Sequence, residues 1–256
     1  MISKKVPAVL LTIITAVFSF IVCKVDVGYA GNPESKIGLV HLNQKFFEKL
    51  GGTYNDSCYQ VSKYLGYAAF VIVAFFAMVG LVQLIKRRSL LKVDKRIIGL
   101  GILYIVTLGM YALFTKVSIN YRPVIVPPET ALEPSFPSSH TVLVVVVCGS
   151  AMILINEYIK SKGLAAVLKA IMAFGIAGMI SYRTFANVHW ITDIIAGLLF
   201  AFTLILWYEA FTGEGKIKLV DKEAYMQEQK RKEEKRIQEE ERRNKQGGKH
   251  FKKLSR

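Results

Sequence analysis

The apolar residues of this chain fall in long unbroken blocks, not at the spacing of one helix face or of alternate strand positions. Crossing about 30 Å of hydrocarbon takes about 20 mostly apolar residues. Five stretches approach or meet that requirement without a charge at mid-span: 6–23, 65–85, 97–115, 141–156 and 190–208. A sixth, 164–182, carries only Lys169, close enough to its start for the long stem to reach the headgroups. The pattern therefore predicts an all-α membrane protein, a six-transmembrane-helix bundle over residues 1–212.

Two further segments break the rhythm. Residues 31–64 interleave Ile37, Leu39, Val40, Leu42, Phe46, Phe47 and Leu50 with His41, Asn43, Lys45, Glu48 and Lys49. That alternation predicts a short amphipathic helix at the membrane surface, either a shoulder beside an active site or a plain connector, with His41 on its exposed polar face. Beyond Phe211 the composition turns charged. Residues 213–256 form a separate tail, in which 222–245 has no heptad seam but contains pairs such as Glu228 with Lys232 and Glu239 with Arg243. These features predict a solvated cytoplasmic helix, ended by Gly247 and Gly248.

The net charge of +15 first suggests nucleic acid, but the excess flanks the spans and fills the tail, where 15 Lys and Arg face 9 Asp and Glu. Membrane orientation accounts for it better. Lys4 and Lys5, the run from Lys86 to Arg96, Lys160 with Lys162, and the tail all fall on one side, which places both termini in the cytoplasm. The loops 24–64, 116–140 and 183–189 then lie outside a plasma membrane. Residues 1–30 also resemble a secretory signal, yet an apolar run of 18 exceeds the usual length of about 7 to 15, so retention is expected. Cys23, Cys58 and Cys148 supply no disulfide framework, and Cys58 is expected as a free thiol. Asn55-Asp56-Ser57 matches a glycosylation acceptor, a motif too short to carry weight.

Ionisable residues gathered where spans meet the surface are costly there and mark function. Three groups gather on the outer side: Lys116 with Arg122 after the third span, Pro137-Ser138-Ser139-His140 before the fourth, and Arg183, His189 and Asp193 between the fifth and sixth. Three cations that can converge suit a dianion such as phosphate. Ser138 or Ser139 can cap a helix whose free N–H groups add neutral donors. His189 and Asp193 are four apart, a spacing that on a helix lets the carboxylate hold one ring nitrogen while the other acts as nucleophile. Glu129 and Glu133 are expected in solvent, with a cationic headgroup as their alternative partner. No metal-ligand spacing is present, and no cofactor is expected.

In this order the groups resemble the signature of the type 2 phosphatidic acid phosphatase superfamily: a Lys and Arg-Pro block, a Pro-Ser-Gly-His block, and Ser-Arg, five residues, His, three residues, Asp. Arg183, His189 and Asp193 match the third block, with Ser181 displaced by Tyr182. Pro137, Ser138 and His140 match the second, with Ser139 in place of Gly. In the first, five residues instead of six separate Lys116 from Arg122, which leaves open whether Lys116 reaches the phosphate. The resemblance implies a lipid phosphatase. His189 attacks phosphorus to form a phosphohistidine, Asp193 orients it and His140 protonates the departing alcohol, while Lys116, Arg122, Ser138, Ser139 and Arg183 hold the phosphoryl oxygens. Its implied partners are membrane lipids and a lipid phosphate substrate, either phosphatidic acid, phosphatidylglycerol phosphate or a polyprenyl pyrophosphate. Transfer of the phosphoryl group or headgroup to another acceptor is the enzymatic alternative. A silent lipid-binding protein would usually have lost His189, His140 or Arg183, and a transporter would place charges at mid-bilayer on broken helices.

Overall fold

A computed structural model of the chain describes residues 5–213 and, in the tail, Arg231, Glu233, Glu234 and Arg236. Six long helices have the length and apolar composition of membrane spans: α1 (Lys5–Lys24), α3 (Asp56–Arg87), α4 (Lys95–Lys116), α5 (Ser139–Tyr158), α6 (Lys162–Phe185) and α7 (Ile191–Thr212). They coincide with the six apolar blocks. Between α1 and α3 lie a hairpin, β1 (Gly28–Ala30) with β2 (Ser35–Ile37), and the short helix α2 (Val40–Lys49). The four described tail residues are helical and exposed, and the rest of the expected tail helix lies outside the described residues.

Local chemistry sets the helix ends. Asn55 of the glycosylation-like triplet caps α3 by accepting from the Cys58 amide at 3.1 Å. Asp94 caps α4 on Arg96 and Ser161 caps α6 on Leu164. Helix α5 is the central one. Val144 through Val147 are all buried, so its sides face protein all round, packed against α3, α4, α6 and α7. The outer helices do the reverse: Val71 is 70% exposed, Ile105 71% and Phe174 78%. Large apolar side chains facing outward on every peripheral span suit lipid and not water, and the protein is a multi-pass membrane protein.

Apolar burial drives little helix association in lipid, so close packing and interhelical hydrogen bonds carry it. Thr15 and Thr203 pair their hydroxyls at 2.9 Å between α1 and α7, and Tyr104 reaches Ser150 at 3.3 Å between α4 and α5. Gly197 on α7 faces the start of α5: a Cβ there would stand 3.1 Å from both the Ser138 carbonyl and Thr141 Cβ. The bare backbone lets the second and third motif blocks meet.

The outer segment differs from its expectation. Ile37 lies in β2 and not in the helix, and α2 turns Val40, Asn43 and Phe47 inward. Asn43 donates to Thr192 at 2.9 Å, and Phe47 packs on Trp190 with ring centroids 5.5 Å apart. A buried asparagine needs partners, and the first turn of α7 supplies them. The segment is thus a clamp on the start of α7. His41 is exposed as expected, with Nδ1 2.6 Å from Asp26. All three cysteines are free.

Candidate active site

The loop from 117 to 138 folds back on itself beside the helix ends. Arg122 donates its amide to the Glu133 carbonyl at 2.9 Å, and Ser135 donates to the Asn120 carbonyl at 2.9 Å. This antiparallel pairing carries Arg122, Glu133 and Ser135 to the mouth of a cavity of about 400 Å³. Arg122, Ser139, His140 and His189 line it, together with Tyr59 and Glu133. Four of the eight residues expected to bind or react sit near this space without lining it: Lys116, Ser138, Arg183 and Asp193.

His189 does not share a helix with Asp193. It precedes Trp190, the residue at the N-cap of α7, while Asp193 occupies the third position of the helix. The spacing of four that suggested one helical face therefore spans a turn. His189 Nδ1 instead meets the Ser135 carbonyl at 3.1 Å, and the Asp193 carboxylate stands back at 3.7 Å. A carbonyl only accepts, so this bond puts the proton on Nδ1 and leaves the lone pair on Nε2. Nε2 is buried and has no hydrogen-bond partner. Burial, then the Arg122 and Arg183 guanidiniums, hold the imidazole well below the ordinary histidine range, so the ring is neutral.

Asp193 is fully buried and held from three sides. It accepts from Asn120 Nδ2 at 3.0 Å and from the Trp190 amide at 3.0 Å, while its backbone carbonyl accepts from the Ser138 amide at 3.0 Å. Through its carboxylate and its backbone carbonyl together, Asp193 thereby ties the first two motif blocks to the start of α7. Asn120 also accepts from the Gly38 amide at 3.1 Å, extending the network to the outer hairpin. Asn120 lies between Lys116 and Arg122 in the sequence with no spacing that marks it, and a backbone carbonyl such as that of Ser135 leaves no side-chain signal to read.

Arg183 is fully buried. Its Cζ lies 5.1 Å from the centre of the Tyr59 ring, and its three nitrogens have no hydrogen-bond partner. Arg122 Nη2 pairs with Glu133 at 3.0 Å, while Nε and Nη1 are buried without partners. An unpaired buried guanidinium is costly, and five such N–H-bearing atoms beside one neutral imidazole are an arrangement whose unmet donors an anion would satisfy. Glu133 lines the cavity and keeps a side chain 45% exposed, with Arg122 as a partner that its loop position did not signal. Glu129 is exposed as expected.

Two other expected ligands lie off the cavity wall. Ser138 stands at the N-cap of α5, but its hydroxyl bonds Thr141 Oγ1 at 2.9 Å and caps no amide. Ser138 and Thr141 are both fully buried. Lys116 is the last residue of α4 and is exposed. His140 meets α3 at Gly66, where a Cβ would come within 3.2 Å of its ring.

No curated protein matches the chain. Among solved structures it is similar to the first transmembrane PAP2-type phosphatidylglycerolphosphate phosphatase from Bacillus subtilis, with a TM-score of 0.50 and 17% identity over 83% of this chain and 98% of that one. At that identity the likeness is one of fold. A sequence model of the PAP2 superfamily matches residues 66–214, more than half of the chain, and the protein belongs to that superfamily.

Proposed function

We propose that the protein hydrolyses a lipid phosphate monoester or pyrophosphate through a phosphohistidine at His189, without a metal. The observation that carries the reading is the unpartnered Nε2 of a buried, neutral histidine set among guanidinium nitrogens that also lack partners. In this mechanism the Nε2 lone pair attacks phosphorus, the bond from phosphorus to the lipid oxygen breaks, and His140 gives that oxygen a proton. Water then attacks the phosphohistidine with His140 taking its proton back, releasing phosphate and restoring both rings. Arg122, Arg183 and the outer end of α5 at Ser139 offset the charge that gathers on the phosphoryl oxygens. Asp193, at 3.7 Å, stabilises the imidazolium that forms when the ring is phosphorylated.

The cavity supports a lipid substrate. Away from the two histidines its wall is made by Phe70 of α3 and by Leu108, Met110, Tyr111 and Phe114 of α4, an apolar channel along the span. By the distribution of basic residues, the site opens on the outer face of the plasma membrane. Phosphatidic acid, phosphatidylglycerol phosphate and polyprenyl pyrophosphate are the substrates to compare. Purified protein in detergent should release phosphate from at least one of them in the presence of chelator, with inhibition by vanadate and an acid-labile phosphoenzyme. Turnover that chelator abolishes and magnesium restores would contradict the proposal.

A further inference from the structure

Helix α4 shows why Lys116 misses the site. Its cavity-lining residues, Thr107, Leu108, Met110, Tyr111, Phe114 and Thr115, cover one side of the helix. At about 100° per residue, Lys116 points roughly 150° away from the middle of that side. The superfamily spacing of six residues before Arg122 would put the lysine at position 115, where Thr115 does line the cavity. The chain is one residue short, and a charge that is one helical position out faces the wrong way.

Helix α3 supplies a different cation. Tyr59 lies under the Arg183 guanidinium, Gly66 touches the His140 ring, and Phe70 lines the same cavity. These three residues and Lys63 stand at i, i+7, i+11 and i+4, a single stripe of one helix. Lys63 is therefore on the face that packs over the site, between the residue at Arg183 and the residue at His140. It is half-buried at the last polar position before the apolar stretch of the span. Among the described residues no carboxylate forms an ion pair with it, and the nearby Asp56 accepts instead from Tyr54 and Gln60.

We infer that Lys63 is a phosphate-binding residue of this protein, the third cation of the site, taking the part that Lys116 cannot reach. The inference rests on the phosphatase reading and extends it to a residue outside the superfamily's three blocks. An ammonium from α3 approaches the phosphoryl group from the side of His140, where charge develops on the leaving oxygen, so its effect falls on turnover as well as on binding.

The test compares Lys63→Gln, Lys63→Arg and Lys116→Ala, each checked for folding by size exclusion in detergent. Turnover of the best lipid substrate and the stabilisation of each protein by orthovanadate are measured. Loss of one charge-assisted contact predicts a drop of roughly 10- to 100-fold in kcat/KM and in vanadate affinity for Lys63→Gln. Lys63→Arg should recover most of both, and Lys116→Ala should stay within about 2-fold of the parent. Lys63→Met, which keeps the apolar stem, stands in if the Gln variant does not fold. An unchanged Lys63→Gln, or a larger loss in Lys116→Ala, overturns the assignment of Lys63. If the parent protein hydrolyses no lipid phosphate but binds vanadate in a Lys63-dependent way, the phosphatase reading falls and the anion site at Lys63 stands. If it does neither, both fall.

Discussion

Arg122 Nη2 stands 3.0 Å from Glu133 Oε2, so the guanidinium at the cavity mouth is already shared with a carboxylate of its own loop. An incoming phosphate must compete for that arginine. Because the Glu133 side chain is 45% exposed, the pair is screened and its loss is worth only about 0.2–1 kcal/mol. Glu133→Gln should accordingly tighten vanadate inhibition by roughly 2- to 5-fold. Weaker inhibition in that variant would show that Glu133 helps to position Arg122 instead of competing for it.

The proposed mechanism gives the two histidines separable tasks. His189→Ala should abolish phosphoenzyme formation with every substrate. His140→Ala should cost about 10²- to 10⁴-fold with a lipid monoester, whose alkoxide needs a proton, and much less with p-nitrophenyl phosphate, whose phenolate leaves unaided. Side-by-side kinetics on both substrates check this, and a reversed pattern, or equal losses for both variants on both substrates, would overturn the assignment.

Acid should be tolerated further than free imidazole would allow. His189 is held neutral well below the ordinary range, so the nucleophile survives as pH falls through about 6.5. The limb of kcat/KM belonging to its protonation should lie below that value. Stability follows the same sign: the unfolded chain takes up a proton near 6.5 that the folded one refuses, so the contribution of His189 is present above that pH and is lost below it. A profile of kcat/KM from pH 4 to 8 checks the first statement, and thermal unfolding over the same range checks the second.

Asn120→Ala removes one of the side-chain and backbone donors that hold the buried Asp193 carboxylate. Hydrogen bonds to charged groups are worth about 1.5–3 kcal/mol, so the variant should unfold several degrees lower in detergent. Asn120→Asp should be worse, since it sets a second carboxylate against the first. Unchanged melting in Asn120→Ala would mean that the Trp190 amide holds Asp193 on its own.

Orientation can be read with cysteines in a cysteine-free background. Thr130→Cys should react with an impermeant thiol reagent in intact cells and Lys245→Cys should not. The opposite labelling would invert the topology.

Sequence alone was enough for the six spans, because about 20 consecutive apolar residues have no other economical place than a bilayer, and the helix bounds agree with the blocks to within a few residues except at α3, which runs on past both ends of its block. It also sufficed to bring Arg122, His140, Arg183, His189 and Asp193 forward, since charges beside spans are scarce and their spacing is characteristic. What it could not determine was direction. The spacing of four between His189 and Asp193 suggested a helix face, but α7 begins after His189, and a carbonyl from a distant loop took the ring nitrogen. Lys116 was named from its type and neighbourhood, while its rotation on α4 turned it outward. Glu133 is still partly in solvent, but only the pairing of 120–122 with 133–135 shows that Arg122 is its partner. Each of these depends on a phase of rotation or on a backbone atom from elsewhere in the chain. One residue of helix turns a side chain by about 100°, and a sequence records the residue but not the partner it meets after that turn.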